Sequence, residues 1–119
     1  MLMLPATVKV YLAAEPTDLR RGHDGLCAAV HATLGRDPYA GHLFVFIGRR
    51  VDRIKILFWD RGGFVVYYKR LEKGRFRMPT VTASAKQIEL DATSLAMLLD
   101  GIDLRQVRRP EHWDPGPRT

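Results

Sequence analysis

The segment LFVFIGRRVDRIKILFWDRGGFVVYYK, residues 43–69, limits the folds open to this chain more than any other part. Three runs rich in β-branched and aromatic residues, 43–47, 53–59 and 64–69, are divided by GRRVD and DRGG, both turn signals. Connections this short join antiparallel neighbours, because parallel strands need a crossover of a dozen residues or more. A further run, RFRM at 75–78, follows the turn LEKG and extends the series to a four-stranded meander.

The flanks add two strand candidates and two helices. VKVYL at 8–12 alternates and is β-branched, and QIEL at 87–90 is a short strand candidate. Between them, Leu19, His23, Leu26, Val30 and Leu34 recur at helical spacing, with Thr17 or Asp18 as cap and Gly35 as stop. Gly22 and Gly25 weaken the first turns, so the run is one helix over about 18–34 or a turn followed by a helix from about Asp24. Asp91 is placed to cap a second helix over about 92–100, with Leu95, Leu98 and Leu99 on one face and Gly101 as its stop. The expected fold class is therefore α+β: an antiparallel meander of four to six short strands with an N-terminal and a C-terminal helix. With 119 residues, one domain is expected over 1–104, followed by a Pro-rich C-terminal tail at 105–119 that is mobile or orders on a partner.

Side chains alternate along a strand, so each run has two faces. Ile54, Ile56 and Phe58 form a wholly apolar face that belongs to a core. Arg53, Lys55, Leu57 and Trp59 form the other, which is expected at solvent or at an interface. Residues 43–47 and 64–68 are apolar on both sides, which calls for a second layer or another subunit. Charge is also localised. The net charge is +6, yet residues 49–77 hold ten basic and three acidic residues, +7, and the remainder of the chain is −1. A local field of one sign attracts an anionic partner more effectively than a diffuse excess. Apart from Arg61, the basic residues form two groups: Arg49, Arg50, Arg53 and Lys55, then Lys69, Arg70, Lys73, Arg75 and Arg77. In a meander the 49–53 and 70–75 turns share one end of the sheet, where the two groups can make a single patch. Phe44, Trp59 or Tyr68 would add stacking on bases if exposed. The same pattern also suits a solvated strand face, since aromatics fit a pleated surface and Lys or Arg oppose edge aggregation.

Little else points to chemistry. A single cysteine, Cys27, excludes an intramolecular disulfide and a cysteine-rich zinc site, and suits a reducing cytoplasm. It lies four residues from both His23 and His31, but a buried thiol is the default there. His23 sits on the apolar stripe and is expected in the core. His42 and His112 have no carboxylate–histidine cluster beside them. Asp52, Asp60 and Glu72 occupy turns, where Asp commonly accepts backbone hydrogen bonds; a metal nuclease would need them clustered. The start, MLMLPATVKVYL, lacks a positive n-region and a cleavage site and reads as the approach to the first strand. No cofactor, metal or membrane span is expected.

TDLRRGHDGL, GHLFVFIGRR, DRIKILFWD, YYKRLEKGRF and LLDGIDL, taken in order over residues 5–106, resemble the TnpB-type accessory protein of the insertion-sequence-66 family of bacterial transposable elements, its second open reading frame product. The resemblance implies a non-catalytic role in transposition in the bacterial cytoplasm. Its partners would be a larger transposase and a helix-turn-helix-like accessory protein of the same element. One departure is His23, which stands where the family pattern implies a bulky apolar residue. Three readings follow. The leading one is an accessory factor binding DNA backbone through Arg49, Arg50, Arg53, Lys55, Lys69, Arg70, Lys73, Arg75 and Arg77. The second is a protein–protein adaptor docked on the transposase through the two-sided apolar strands and the tail around Trp113, with homo-oligomerisation open. The third is a small nuclease using Asp52, Asp60 and Glu72.

Overall fold

A computed structural model of the chain describes Pro5 and residues 7–101. Five strands, β1 (Val10–Ala13), β2 (Leu43–Ile47), β3 (Arg53–Asp60), β4 (Gly63–Arg70) and β5 (Gln87–Leu90), form one sheet in the spatial order β4-β3-β2-β1-β5. Helix α1 (His23–Ala32) covers one face and helix α2 (Ala92–Leu99) the other. The fold is α+β as expected, but the sheet is mixed. β2, β3 and β4 form the antiparallel meander, whereas β1 runs parallel to β2, with Val10, Tyr11 and Leu12 opposite Leu43, Phe44 and Val45. The crossover is long enough for parallel pairing because it contains α1. β5 returns antiparallel along the other side of β1. The tail, with His112 and Trp113, lies outside the described residues.

Two helical layers explain the two-sided apolar strand at 43–47. Leu43, Val45 and Ile47 join Val10, Leu12, Ile54, Ile56, Leu95 and Leu98 in the core beneath α2. Phe44 and Phe46 join Tyr11, Leu26, Val30 and Leu57 beneath α1. Leu57 is therefore fully buried, and the face of β3 expected to be accessible is closed at its middle, with Arg53, Lys55 and Trp59 partly exposed on either side. Ile54 and Ile56 take the core positions expected of them, and Phe58 is partly buried beside them.

Of the two readings of residues 18–34 the structure takes the turn followed by a helix, while His23 and residues 75–78 depart from expectation, and each of the three has a physical cause. Helix α1 begins at His23 because the Asp18 carboxylate is already occupied: it accepts the Arg20 backbone N–H at 3.1 Å and the Arg20 guanidinium at 2.8 Å. That turn competes with helix at residues 18–22, as a short Asp side chain commonly does. His23 is consequently not a core residue. It is exposed at the first position of α1, within 3.1 Å of Asp24 and facing the Phe64 ring. Finally, residues 75–78 form no strand. Phe76 is buried and donates its N–H to the Val51 carbonyl, so the alternation of RFRM reflects one aromatic anchor between two exposed arginines.

The two connections of the meander are both tight. Arg61 and Gly62 both have positive φ, 41° and 88°, which is the type I′ geometry that matches strand twist. In the β2–β3 connection Val51 sits at φ 62°, an uncommon conformation for a β-branched side chain. It is held there by its own N–H to Gly48, by the Phe76 bond and by packing on the core. Asp91 caps α2 by accepting the Ser94 N–H at 2.7 Å, and Gly101 ends it at φ 77°.

Candidate nucleic-acid interface

The meander brings both basic groups to one end of the sheet. Arg53 and Arg70 are direct cross-strand partners. The Leu71 N–H bonds to the Asp52 carbonyl at 2.8 Å, tying the segment after β4 to the β2–β3 turn. Arg49, Arg50 and Arg75 then line one cleft of about 300 Å³ with Asp52 and Gly74. A larger cleft of about 950 Å³ continues onto the α1 face, where Arg20, Arg49, Arg50, Arg53, Lys55 and Tyr68 line it. Arg20 is an addition to the expected residues. It reaches this end because the turn at 18–22 runs past the β2–β3 connection, where Thr17 bridges Gly48.

The cations here are not equivalent. Lys55 donates to the backbone carbonyls of Leu19 at 2.7 Å and Arg21 at 3.1 Å, and its ammonium lies 5.6 Å from the Tyr68 ring centroid. It fastens the segment before α1 to the sheet. Lys69 points to the opposite face and donates to the Leu99 carbonyl at 2.7 Å, capping the last turn of α2. A cation at a helix C-terminus is favourable because the last carbonyls lack partners within the helix. These two lysines therefore hold the chain's own segments together.

Three arginines are paired with carboxylates. Arg20 grips Asp18 and holds its carboxyl well below the usual range, chiefly through the side-chain hydrogen bond, while the guanidinium is raised in turn. Arg70 lies 3.3 Å from Glu72, and Arg53 3.9 Å from Asp52. In the last pair, Arg53 Nε and Asp52 Oδ1 are shielded from solvent without a hydrogen-bond partner. Arg49, Arg50, Lys73, Arg75 and Arg77 are solvent-accessible and carry no ion pair with a described residue. None of the five has a carboxylate within 4 Å among the described residues, although Arg49 also acts on Asp18 at longer range. Of the proposed stacking residues, Phe44 is fully buried, and Trp59 packs edge-on against Tyr39 and Phe64. Tyr68 is half exposed at the cleft.

The other chemical candidates disperse. Asp52 and Asp60 stand at opposite ends of β3, roughly 26 Å apart at the usual strand rise, so the trio with Glu72 cannot share a metal ion. Among the described residues no group of three or more His, Cys, Asp or Glu is placed to hold one. Cys27 is partly buried, and desolvation first, then the Asp24 charge, pushes its thiol above the ordinary value, away from an activated thiolate. No helix among the described residues is long and apolar enough to cross a membrane.

A sequence model of the family described as IS66 Orf2 like protein matches residues 8–109. Two proteins of Sinorhizobium fredii (strain NBRC 101917 / NGR234) are similar along most of their length. Uncharacterized protein y4jC is 36% identical over 102 residues, 86% of either chain. Uncharacterized protein y4hO is 37% identical over 115 residues, 95% of this chain and 96% of that one. No solved structure matches the chain.

Proposed function

Since the chain belongs to the IS66 Orf2-like family, and so to an insertion-sequence transposition system, we propose that it serves as a non-catalytic accessory factor that grips DNA by its phosphate backbone. It would work on the element's DNA beside the transposase and the helix-turn-helix-like protein. The observation that carries this reading is the convergence of Arg49, Arg50 and Arg75 on one cleft, exposed and unpaired, with Lys73 and Arg77 nearby in sequence. Arg53 and Arg70 contribute secondarily, because each already faces a carboxylate. Lys55 and Lys69 drop out of the contact set because their ammonium groups are bound to backbone carbonyls.

Phosphate contacts release condensed counterions, so the number of contacts sets the salt dependence. About five contacts give a log–log slope near −4.5, or roughly a 500-fold loss of affinity between 50 and 200 mM salt. Fluorescence anisotropy with a duplex from the element's ends and a scrambled duplex of equal length tests this. Both should bind with similar steep slopes, and changing Arg49, Arg50 and Arg75 to Ala should flatten the slope by about 2.7. Absence of binding at low salt, or binding indifferent to salt, would refute it. The adaptor reading loses part of its support, since β2 is covered on both faces within the chain.

A further inference from the structure

The geometry points to a two-fold dimer in which the outer edge of β4 pairs antiparallel with β4 of a second copy, making a continuous ten-stranded sheet. This stands independently of whether the basic end holds DNA. β4 is the terminal strand of the sheet, eight residues long, and among the described residues only β3 pairs with it. The opposite terminal strand, β5, has four residues and carries Glu89 outward. Natural edges are usually shortened, charged, bulged or interrupted by proline. From Phe64 to Tyr68 β4 has none of these, and its pairing with β3 is unbroken from Arg53↔Arg70 to Asp60↔Gly63.

The two-residue turn determines which backbone groups face outward. Asp60 and Gly63 close the hairpin as a hydrogen-bonded pair, so 65, 67 and 69 also turn their N–H and C=O toward β3. The backbone groups of Phe64, Val66, Tyr68 and Arg70 are left pointing away from the sheet. An antiparallel partner centred on Tyr67 sets Val66 against Tyr68 and Phe64 against Arg70, and satisfies these groups with about eight hydrogen bonds. Because the axis is perpendicular to the sheet, each face continues across it. Tyr67, 40% exposed, then meets its counterpart on the axis, and Val65, 39% exposed, lies opposite the partner copy's Lys69, both above the cleft that Phe58, Leu95 and Leu99 line beside α2.

Charge favours a second copy in this orientation. A parallel, in-register pair would set Lys69 on Lys69 and Arg70 on Arg70, which is unfavourable. The antiparallel pair separates the two Arg70 side chains by about six residues, roughly 20 Å, and each basic end lies beyond the other's hairpin turn. Both basic clefts then open on the same face.

Sedimentation of the full chain over the micromolar range should show twice the chain mass. Tyr67→Cys in a Cys27→Ser background should form a covalent dimer on mild oxidation, because non-hydrogen-bonded partners have Cα atoms about 4.5 Å apart, within disulfide reach. Glu89→Cys in the same background, on β5, should not. Tyr67→Lys, which sets two ammonium groups against each other, should yield a folded monomer. A monomeric parent overturns the proposal, as does a Tyr67→Lys dimer or equal cross-linking from Glu89→Cys. A monomer with slowly exchanging Val66 and Tyr68 amides overturns it too, since some other segment would then hold the edge.

Discussion

Lys55→Met separates structural charge from the charge proposed to face DNA. The Lys55 ammonium is partly buried and bonds two backbone carbonyls, those of Leu19 at 2.7 Å and Arg21 at 3.1 Å. Hydrogen bonds to charged groups contribute about 1.5–3 kcal/mol each. The Leu19 bond is part-buried and counts in this range, whereas the Arg21 carbonyl is exposed and water can replace the ammonium at little cost. Met retains the packing of the aliphatic stem, so the net loss should be about 2 kcal/mol. With an unfolding entropy of about 2.1 cal/mol/K per residue, that lowers Tm by roughly 8 °C. Thermal unfolding by circular dichroism reads the shift. Arg49→Ala with Arg50→Ala is the comparison: both side chains are exposed, so stability should stay within about 0.5 kcal/mol while the salt slope of DNA binding flattens. Wild-type Tm in Lys55→Met, with a slope reduced as in the arginine pair, would refute the assignment and return Lys55 to the contact surface.

Phe76→Ala should be among the most damaging single changes, about 3–5 kcal/mol by urea titration, because Phe76 fills the core from a segment with no sheet pairing of its own. Arg61→Asn should stabilise by about 1 kcal/mol in the same assay, since Asn tolerates the left-handed region that Arg61 occupies at φ 41°. Cys27 should react with iodoacetamide more slowly in the native chain than in the denatured chain near neutral pH. Burial raises its thiol above the ordinary range, so thiolate forms only at higher pH than in the unfolded chain.

The parts of the fold carried by local chemistry are legible in the residues. Asp91, Gly35 and Gly101 mark helix ends because a side-chain acceptor or a left-handed backbone is needed there, and all three occupy those roles. The DRGG turn and the alternation of β3 place Ile54 and Ile56 in the core. The parallel pairing of β1 with β2 escapes a reading of turn signals, although a signal exists: a helix stands between them, and that is what a parallel crossover contains. RFRM misleads because alternation records burial, not pairing. Arg75 and Arg77 are accessible around a buried Phe76 whether or not a ladder exists.

The candidate site is legible in position but not in membership. Charge density along the chain locates the basic end, because a hairpin returns its turns to the same level of the sheet. It does not say which ammonium groups are already engaged. Lys55 and Lys69 are equivalent to Arg53 and Arg70 in sequence pattern, yet each reaches unpaired carbonyls contributed from more than 29 residues away, at Leu19 and Leu99. Lysine suits this role because its compact ammonium on a flexible stem can enter a carbonyl cluster, while the planar guanidinium favours carboxylate and phosphate. The division of labour follows side-chain type. Lys55 fastens the turn before α1 and Lys69 the end of α2, and the turn arginines without an ion pair, Arg49, Arg50 and Arg75, stay open to an anion. Exchanging the roles, with Lys55→Arg and with Arg49→Lys and Arg50→Lys, should therefore destabilise in the first case and, in the second, weaken binding while leaving its salt slope nearly unchanged, because counterion release follows charge and bidentate geometry does not.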